Sequence, residues 1–216
     1  MVFLSREEAG AKLASEIRDQ GLTFDLCCGI PRGGVVVGSV VAQELGLPFG
    51  VLLIRKIRAD ANRELAVGAL GYAGNGEFAT VLSPESAHEK REHLEAEIGF
   101  EKERLVLYAE LFERYIPQTW ERGARVLVVD DGIATGATMI AALDVVTGMG
   151  GLPTVGTPVV DCEVMRQLTE RGYRVVAVHA AEWLMAVGQF YQDFHQVSDR
   201  EALSWANRAF RPRRIP

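Results

Sequence analysis

A short stretch past the middle of the chain constrains it most. Val126-Leu127-Val128-Val129 is an unbroken apolar run that ends in two adjacent carboxylates, Asp130-Asp131. A strand with one face in water alternates apolar and polar residues. A run without alternation suits a strand covered on both faces, as in a parallel sheet with helices above and below. The run is followed by Gly132-Ile133-Ala134-Thr135-Gly136-Ala137-Thr138, a loop of small residues with two hydroxyls, and by a helical pattern to Gly148. That order places the loop at the carboxyl end of a strand, where open α/β sheets bind ligands.

The rest of the chain fits the same class. Ser5-Arg6-Glu7-Glu8 is a capping box, with Ala9, Leu13 and Ile17 at helical spacing before Gly21. Phe24 to Gly29 is an apolar strand running into Gly29-Ile30-Pro31-Arg32-Gly33-Gly34, then a helix from Val35 to Leu45 and a strand from Gly50 to Ile54. This β-loop-α-β order opens a parallel sheet. Arg55 to Arg63 is charged and irregular and reads as a mobile loop. Leu65 to Tyr72 and Phe78 to Leu82 read as short strands around Gly74-Asn75-Gly76. Ser83-Pro84 starts a long amphipathic helix through Leu94, Ile98, Leu105, Tyr108, Phe112 and Tyr115, with Gly99 as a candidate break and Pro117 as its end. Thr154–Val160, Glu163–Arg171 and Tyr173–His179 give strand, helix, strand, and the aromatic-rich Glu182–Arg208 ends in a short helix. At 216 residues, one domain over 1–216 is expected, with 83–120 and 182–216 as additions to its core.

Composition narrows the function. The net charge of −6 gives no support to binding DNA, whose phosphates reward clustered Lys and Arg. The cationic cluster Arg208, Arg211, Arg213, Arg214 reads as a solvated tail. Cys27, Cys28 and Cys162 are odd in number, so no disulfide framework is implied. No apolar run approaches the roughly 20 residues that span a bilayer, and the N-terminus reads as a helix rather than a signal peptide. A cytoplasmic protein is expected. His88, His93, His179 and His195 show no ligand spacing with Cys or acids, so no protein-built metal site is expected.

The chemistry of the central loop follows from its donors. Backbone N–H groups opening a helix favour a phosphate, and Thr135 and Thr138 add hydroxyl donors. Asp130 and Asp131 would repel that phosphate, but suit the hydroxyls of an attached sugar, directly or through Mg²⁺. The stretch reads as a sugar-phosphate cradle. In the other loop the glycines let backbone approach an anion, and Arg32 adds a fixed positive charge.

Over the thirteen positions Val126–Thr138 the chain resembles the phosphoribosyl pyrophosphate-binding motif of the type I phosphoribosyltransferases. The resemblance implies a Rossmann-like, mostly parallel sheet with flanking helices plus a small hood. It makes Gly132 to Thr138 the 5′-phosphate loop and Pro31, Arg32, Gly33 and Gly34 the pyrophosphate loop, with a cis peptide at Pro31–Arg32. Asp130 and Asp131 would hold the ribose, with Mg²⁺ arriving on phosphoribosyl pyrophosphate. Arg55 to Glu64 matches a loop that closes over the reacting centre, from which Lys56 and Arg58 would neutralise departing pyrophosphate.

Two positions depart from the family pattern. Gly132 stands where an aliphatic residue is usual. Ala134 stands where 6-oxopurine enzymes carry an acid, one that adenine- and orotate-type enzymes also lack. Asp60 or Glu64 is a candidate proton acceptor in its place. Candidate hood residues are Trp183, Phe190 and Tyr191, beside Met185 and Phe194. Tyr191 to Asp199 resembles a tail found in a bacterial subgroup of the family. The implied reaction is transfer of the phosphoribosyl group to a purine, pyrimidine or related base. The rivals are a non-catalytic regulator that binds phosphoribosyl pyrophosphate and a hydrolase of phosphoribosyl compounds. The long charged helix is a candidate dimer contact.

Overall fold

A computed structural model describes residues 2–62, 65–72, 76–117 and 121–210. Its strands are β1 (Leu26–Gly29), β2 (Phe49–Val51), β3 (Ile54–Arg58), β4 (Ala66–Tyr72), β5 (Phe78–Leu82), β6 (Arg125–Val129), β7 (Leu152–Asp161) and β8 (Arg174–Ala181). Its helices are α1 (Arg6–Asp19), α2 (Gly33–Leu45), α3 (Arg91–Phe112), α4 (Ala137–Gly148), α5 (Cys162–Glu170) and α6 (Asp199–Ala209). The main sheet is parallel, in the order β2-β1-β6-β7-β8. A second, antiparallel sheet has the order β3-β4-β5.

The apolar run takes the central strand, as its pattern requires. Leu127 and Val129 join a core cluster with Leu13 and Ile17 of α1 and Val37 of α2. Val126 and Val128 face the other way, into a cluster with Met139 and Leu143 of α4 and Leu168 of α5. All four are fully buried, and burying each such side chain contributes about 1.5–3 kcal/mol.

The chain leaves β1 toward β2 on one side, while β6 leads to β7 on the other. The carboxyl ends of β1 and β6 therefore flank the switch point of the sheet, where the crevice of such folds lies. The loops 29–34 and 130–138 both open there.

The expectation of a mobile loop from Arg55 to Arg63 is corrected in its first half. Arg55 to Arg58 lie in β3, with Arg55 opposite Leu70 and Arg58 opposite Ala66. Ile57 anchors the strand in the main core, and Arg55 and Arg58 lie against Glu97 and Glu101 of α3. Arg63, Glu64, Gly74 and Asn75 lie outside the described residues. A 3₁₀ turn at Pro84–His88 precedes α3, which runs unbroken through Gly99. Through Ala202, Ala206 and Ala209, α6 packs into the core shared with α2; its N-cap is Ser198, whose hydroxyl accepts from the Glu201 amide.

Candidate active site at the sheet switch point

Asp130 and Asp131 follow directly from β6. The Asp131 amide donates to Asp130 Oδ1 at 2.9 Å. Arg6, in the first turn of α1, donates through Nε to Asp131 Oδ2 at 2.7 Å, and through Nη1 to the His195 carbonyl at 3.0 Å. This ion pair is almost dry, with the Arg6 side chain 7% and the Asp131 side chain 15% exposed. The Phe194 ring lies 3.9 Å from the guanidinium carbon, and the Tyr191 hydroxyl donates to the Asp131 carbonyl at 2.6 Å.

Burial pushes both carboxyls up, and the charge of Asp131 pushes Asp130 well above the usual carboxylate range. Arg6 opposes the rise on Asp131. The pair therefore divides its roles, with Asp131 keeping the charge and Asp130 the first of the two to hold a proton.

The two loops touch at glycines. A Cβ on Gly33 would fall 1.8 Å from Asp131 Oδ2, and one on Gly34 would fall 2.6 Å from the Val129 carbonyl. These residues admit the Asp pair itself, a nearer reason for glycine than approach to a ligand. Gly132 is explained by packing, because a Cβ there would meet Val187 Cγ1 at 2.3 Å. Val187 thus fills the space an aliphatic side chain would take. The Pro31–Arg32 peptide is cis, matching the expectation. The Ile133 amide bonds the Val159 carbonyl at 2.9 Å and so is not free for a phosphate. The first turn of α4 supplies the others, since its leading amides lack intrahelical acceptors. Ala134 packs against the apolar cluster of Phe3, Val159, Leu184 and Tyr191. Thr135 and Thr138 are exposed, Ala137 half-buried, and Gly136 caps α4 at φ 72°.

Beside these loops lies a cavity of about 430 Å³ that includes Pro31, Arg32, Arg55, Lys56, Arg58, Tyr108, Thr138 and Asp199. Four cations face one acid, in a chain of net charge −6. Lys56 has no ion-pair partner among the described residues. Arg58 is committed elsewhere, with Nη1 2.7 Å from Glu101 Oε1 and 3.6 Å from Glu97 Oε1. Arg55 Nε is 3.9 Å from the fully buried Glu101. Asp199 accepts from the Tyr108 hydroxyl at 3.0 Å and lies 3.8 Å from Arg32 Nη1. Burial, with Asp199 beside it, pushes the Tyr108 phenol up.

Arg6, Tyr108 and Asp199 were not among the residues the sequence singled out for the site, and Arg55 entered only as the first residue of the expected closing loop. Arg6 sits inside a capping box that already accounts for its neighbours, Tyr108 reads as one apolar position of a helix, and Asp199 reads as a first-turn acid. Both segments proposed as additions do reach the cavity, 83–120 through Tyr108 and 182–216 through Asp199.

The aromatic hood expectation changes. Tyr191 is buried between Phe3 and Phe194, with ring centroids at 5.3 and 4.9 Å. It supports Asp131 from below and is not available for stacking on a base. Phe190 lies against His179 at 5.4 Å. Trp183 and Met185 are exposed, at 85% and 86%. Asp60 sits near His93, with its side chain 68% exposed, and Glu64 lies outside the described residues. So do 211–216, with most of the basic tail. Among the described residues no cluster of three or more His, Cys, Asp or Glu is arranged to hold a metal, and no helix is long and apolar enough to cross a membrane.

Comparison with known proteins agrees with this geometry. A family model described as "Phosphoribosyl transferase domain" matches residues 4–160. The crystal structure of TT1426 from Thermus thermophilus superposes with a TM-score of 0.87 at 38% identity, covering 97% of this chain and 100% of that one. The Mycobacterium tuberculosis (strain H37Rv) protein named "Putative phosphoribosyl transferase Rv0571c" is 33% identical over 97% of this chain, which spans 47% of its length. An adenine phosphoribosyltransferase of Chlorobium luteolum is 29% identical over 79% of this chain and 77% of its own. With the family model covering both loops and the TT1426 fold matching almost throughout, the chain belongs to the phosphoribosyl transferase domain family.

Proposed function

We propose that this protein is a pentosyltransferase that moves the phosphoribosyl group of phosphoribosyl pyrophosphate to a nitrogenous base and releases pyrophosphate. One observation carries the reading. Arg32, Arg55, Lys56 and Arg58 line a cavity beside a carboxyl pair at the switch point of the sheet, so cations for a pyrophosphate adjoin acids for a sugar.

In this arrangement the first turn of α4, with Thr135 and Thr138, anchors the 5′-phosphate. Asp130 and Asp131 hold the ribose hydroxyls. Fixing both ends of the sugar converts the encounter into a positioned step. The base nitrogen forms its bond to C1′ as the bond from C1′ to the pyrophosphate oxygen breaks. The electron pair leaves with pyrophosphate, and the nitrogen's proton passes to solvent or to an acid of the chain. Lys56 and Arg32 neutralise the departing charge. Arg58 and Arg55 join them only to the extent that Glu101 releases them.

The carboxyl pair fits Mg²⁺ brought in by the substrate. Beyond Asp130 Oδ1 and Asp131 Oδ2, which are engaged within the chain, each side chain has a second oxygen. A hard cation takes one or two carboxylates and completes its shell from phosphates and water. Bound there, Mg²⁺ would supply charge neutralisation to the leaving pyrophosphate.

The acceptor is a base whose proton the phosphate loop does not handle, since Ala134 sits among apolar side chains. Adenine heads the panel, in line with the relative named for it. The free thiols Cys27, Cys28 and Cys162 suit a reducing compartment, the cytoplasm. The test is to incubate the protein with phosphoribosyl pyrophosphate, Mg²⁺ and individual bases and to follow pyrophosphate release. Release stimulated by one base supports transfer. Binding without stimulated release by any base refutes it, and base-independent release points to hydrolysis.

A further inference from the structure

Arg6 is buried, charged and 125 positions away from its partner in sequence. A guanidinium this dry is costly unless its hydrogen bonds are met. Two of them go to the group with the sugar-binding task and to a segment that nothing in the reaction otherwise explains. The Phe3 amide donates to the Phe190 carbonyl at 2.7 Å, the Gln192 amide to the Phe3 carbonyl at 2.8 Å, and the Asp193 amide to the Leu4 carbonyl at 3.1 Å. The N-terminal residues are thereby laced to 190–193. Phe194 then covers the guanidinium, and the His195 carbonyl takes Nη1. In the other arginine pairs among the described residues the arginine side chain keeps 30% or more of its exposure, even where, as at Arg58 and Glu101, the acid is buried. Arg125 and Asp25, for example, are 50% and 39% exposed.

We propose that Arg6 is a positioning residue for phosphoribosyl transfer. Its Nε holds Oδ2 of Asp131 against the Gly33 backbone, which leaves Oδ1 for the sugar hydroxyl or its metal and cancels one charge of the carboxyl pair. The lacing of 190–195 onto the N-terminus holds Arg6 in turn. This inference rests on the reading of Asp131 as the ribose-holding group.

The test compares wild type, Arg6→Gln and Arg6→Lys. Three quantities are followed: phosphoribosyl pyrophosphate affinity by calorimetry with Mg²⁺, KM for each substrate separately, and Tm. Supporting groups of this kind are worth about 10–100-fold. Arg6→Gln is expected to weaken phosphoribosyl pyrophosphate binding and raise its KM within that range, while KM for the base stays within twofold. Arg6→Lys keeps the charge but loses the fixed fork and falls between the two. A purely structural role would lower the folded fraction and hence kcat, leaving both KM values alone. A folded Arg6→Gln with wild-type affinity and KM for phosphoribosyl pyrophosphate overturns the proposal, whatever its Tm. If Arg6→Gln does not fold, Arg6→Lys decides: a threefold or larger rise in that KM alone supports the role, and a wild-type value overturns it. A wild type that fails to bind phosphoribosyl pyrophosphate sinks the underlying reading instead, and that failure shows before any variant is made.

Discussion

Replacing Gly33 with alanine puts a methyl group where the Asp131 carboxylate lies. The new Cβ would sit 1.8 Å from Oδ2 and 2.4 Å from Cγ, whereas real Cβ contacts essentially never fall below 3.0 Å. Something must retreat by at least the difference of 1.2 Å. The loop cannot yield cheaply, because Gly34 is already tight against the Val129 carbonyl. The φ of Gly33 lies outside the left-handed region, so the effect is steric and not a matter of backbone strain. The carboxylate moves, and with it the 2.7 Å bond from Arg6. A misplacement near 1 Å costs on the order of 100-fold in rate, or about 2.7 kcal/mol of barrier. Breaking a buried pair destabilises by about 3–5 kcal/mol, and the partial exposure of Asp131 puts this one at the lower end. At about 2–4 °C per kcal/mol for a chain of this size, Tm should fall by roughly 6–12 °C. Pyrophosphate release at saturating base gives kcat/KM for phosphoribosyl pyrophosphate, and thermal unfolding gives Tm. A variant with kcat/KM within threefold of wild type would refute the packing argument, since it would mean that the carboxylate has room the structure denies it.

Other perturbations test separate parts of the account. Lys56→Ala should raise KM for phosphoribosyl pyrophosphate about tenfold or more, the worth of a charge-assisted bond of about 1.5 kcal/mol. With no ion pair to a described residue lost, Tm should barely move; steady-state kinetics and melting check both. Glu101→Gln should release Arg58 and Arg55, lowering Tm but tightening inhibition by pyrophosphate; unchanged inhibition would show that the arginines do not reach the anion. For Asp130, the folded value is raised well above 3.8. Between those values the folded chain holds more protons than the unfolded one, so this group's contribution to stability falls as pH rises. Asp130→Asn should therefore raise Tm at pH 8 and flatten the decline from pH 4 to 8, and a variant less stable than wild type at pH 8 would contradict that sign. Leu127→Ala, in the central strand, should cost about 2–5 kcal/mol by denaturant melting.

The two loops of the site were legible because their patterns are local. An apolar run ending in two acids, or a glycine pair opening a helix, constrains backbone over a few residues. β6, α4 and α2 accordingly lie close to where periodicity and capping place them. The strand β3 was missed because four charges in Arg55–Asp60 hide the alternation around Ile57. Its pairing came from β4, and its two arginines were met by Glu97 and Glu101, which lie more than thirty positions on.

Tyr191 shows the same limit from the other side. An aromatic residue in a tail suits a stacking role, and nothing nearby in the chain says that residue 3 will bury it. Patterning along the backbone was enough to settle the parallel core and to suggest a phosphate loop, and the motif at that loop carried the resemblance to the family. The partner of each charge was settled by packing. Arg6 could have stayed in water like its neighbour Glu7, and it is buried because α1 and residues 190–195 converge on Asp131. Hydrophobic periodicity repeats over a turn or a pleat and can be read in a short window, whereas an ion pair depends on two segments meeting in space.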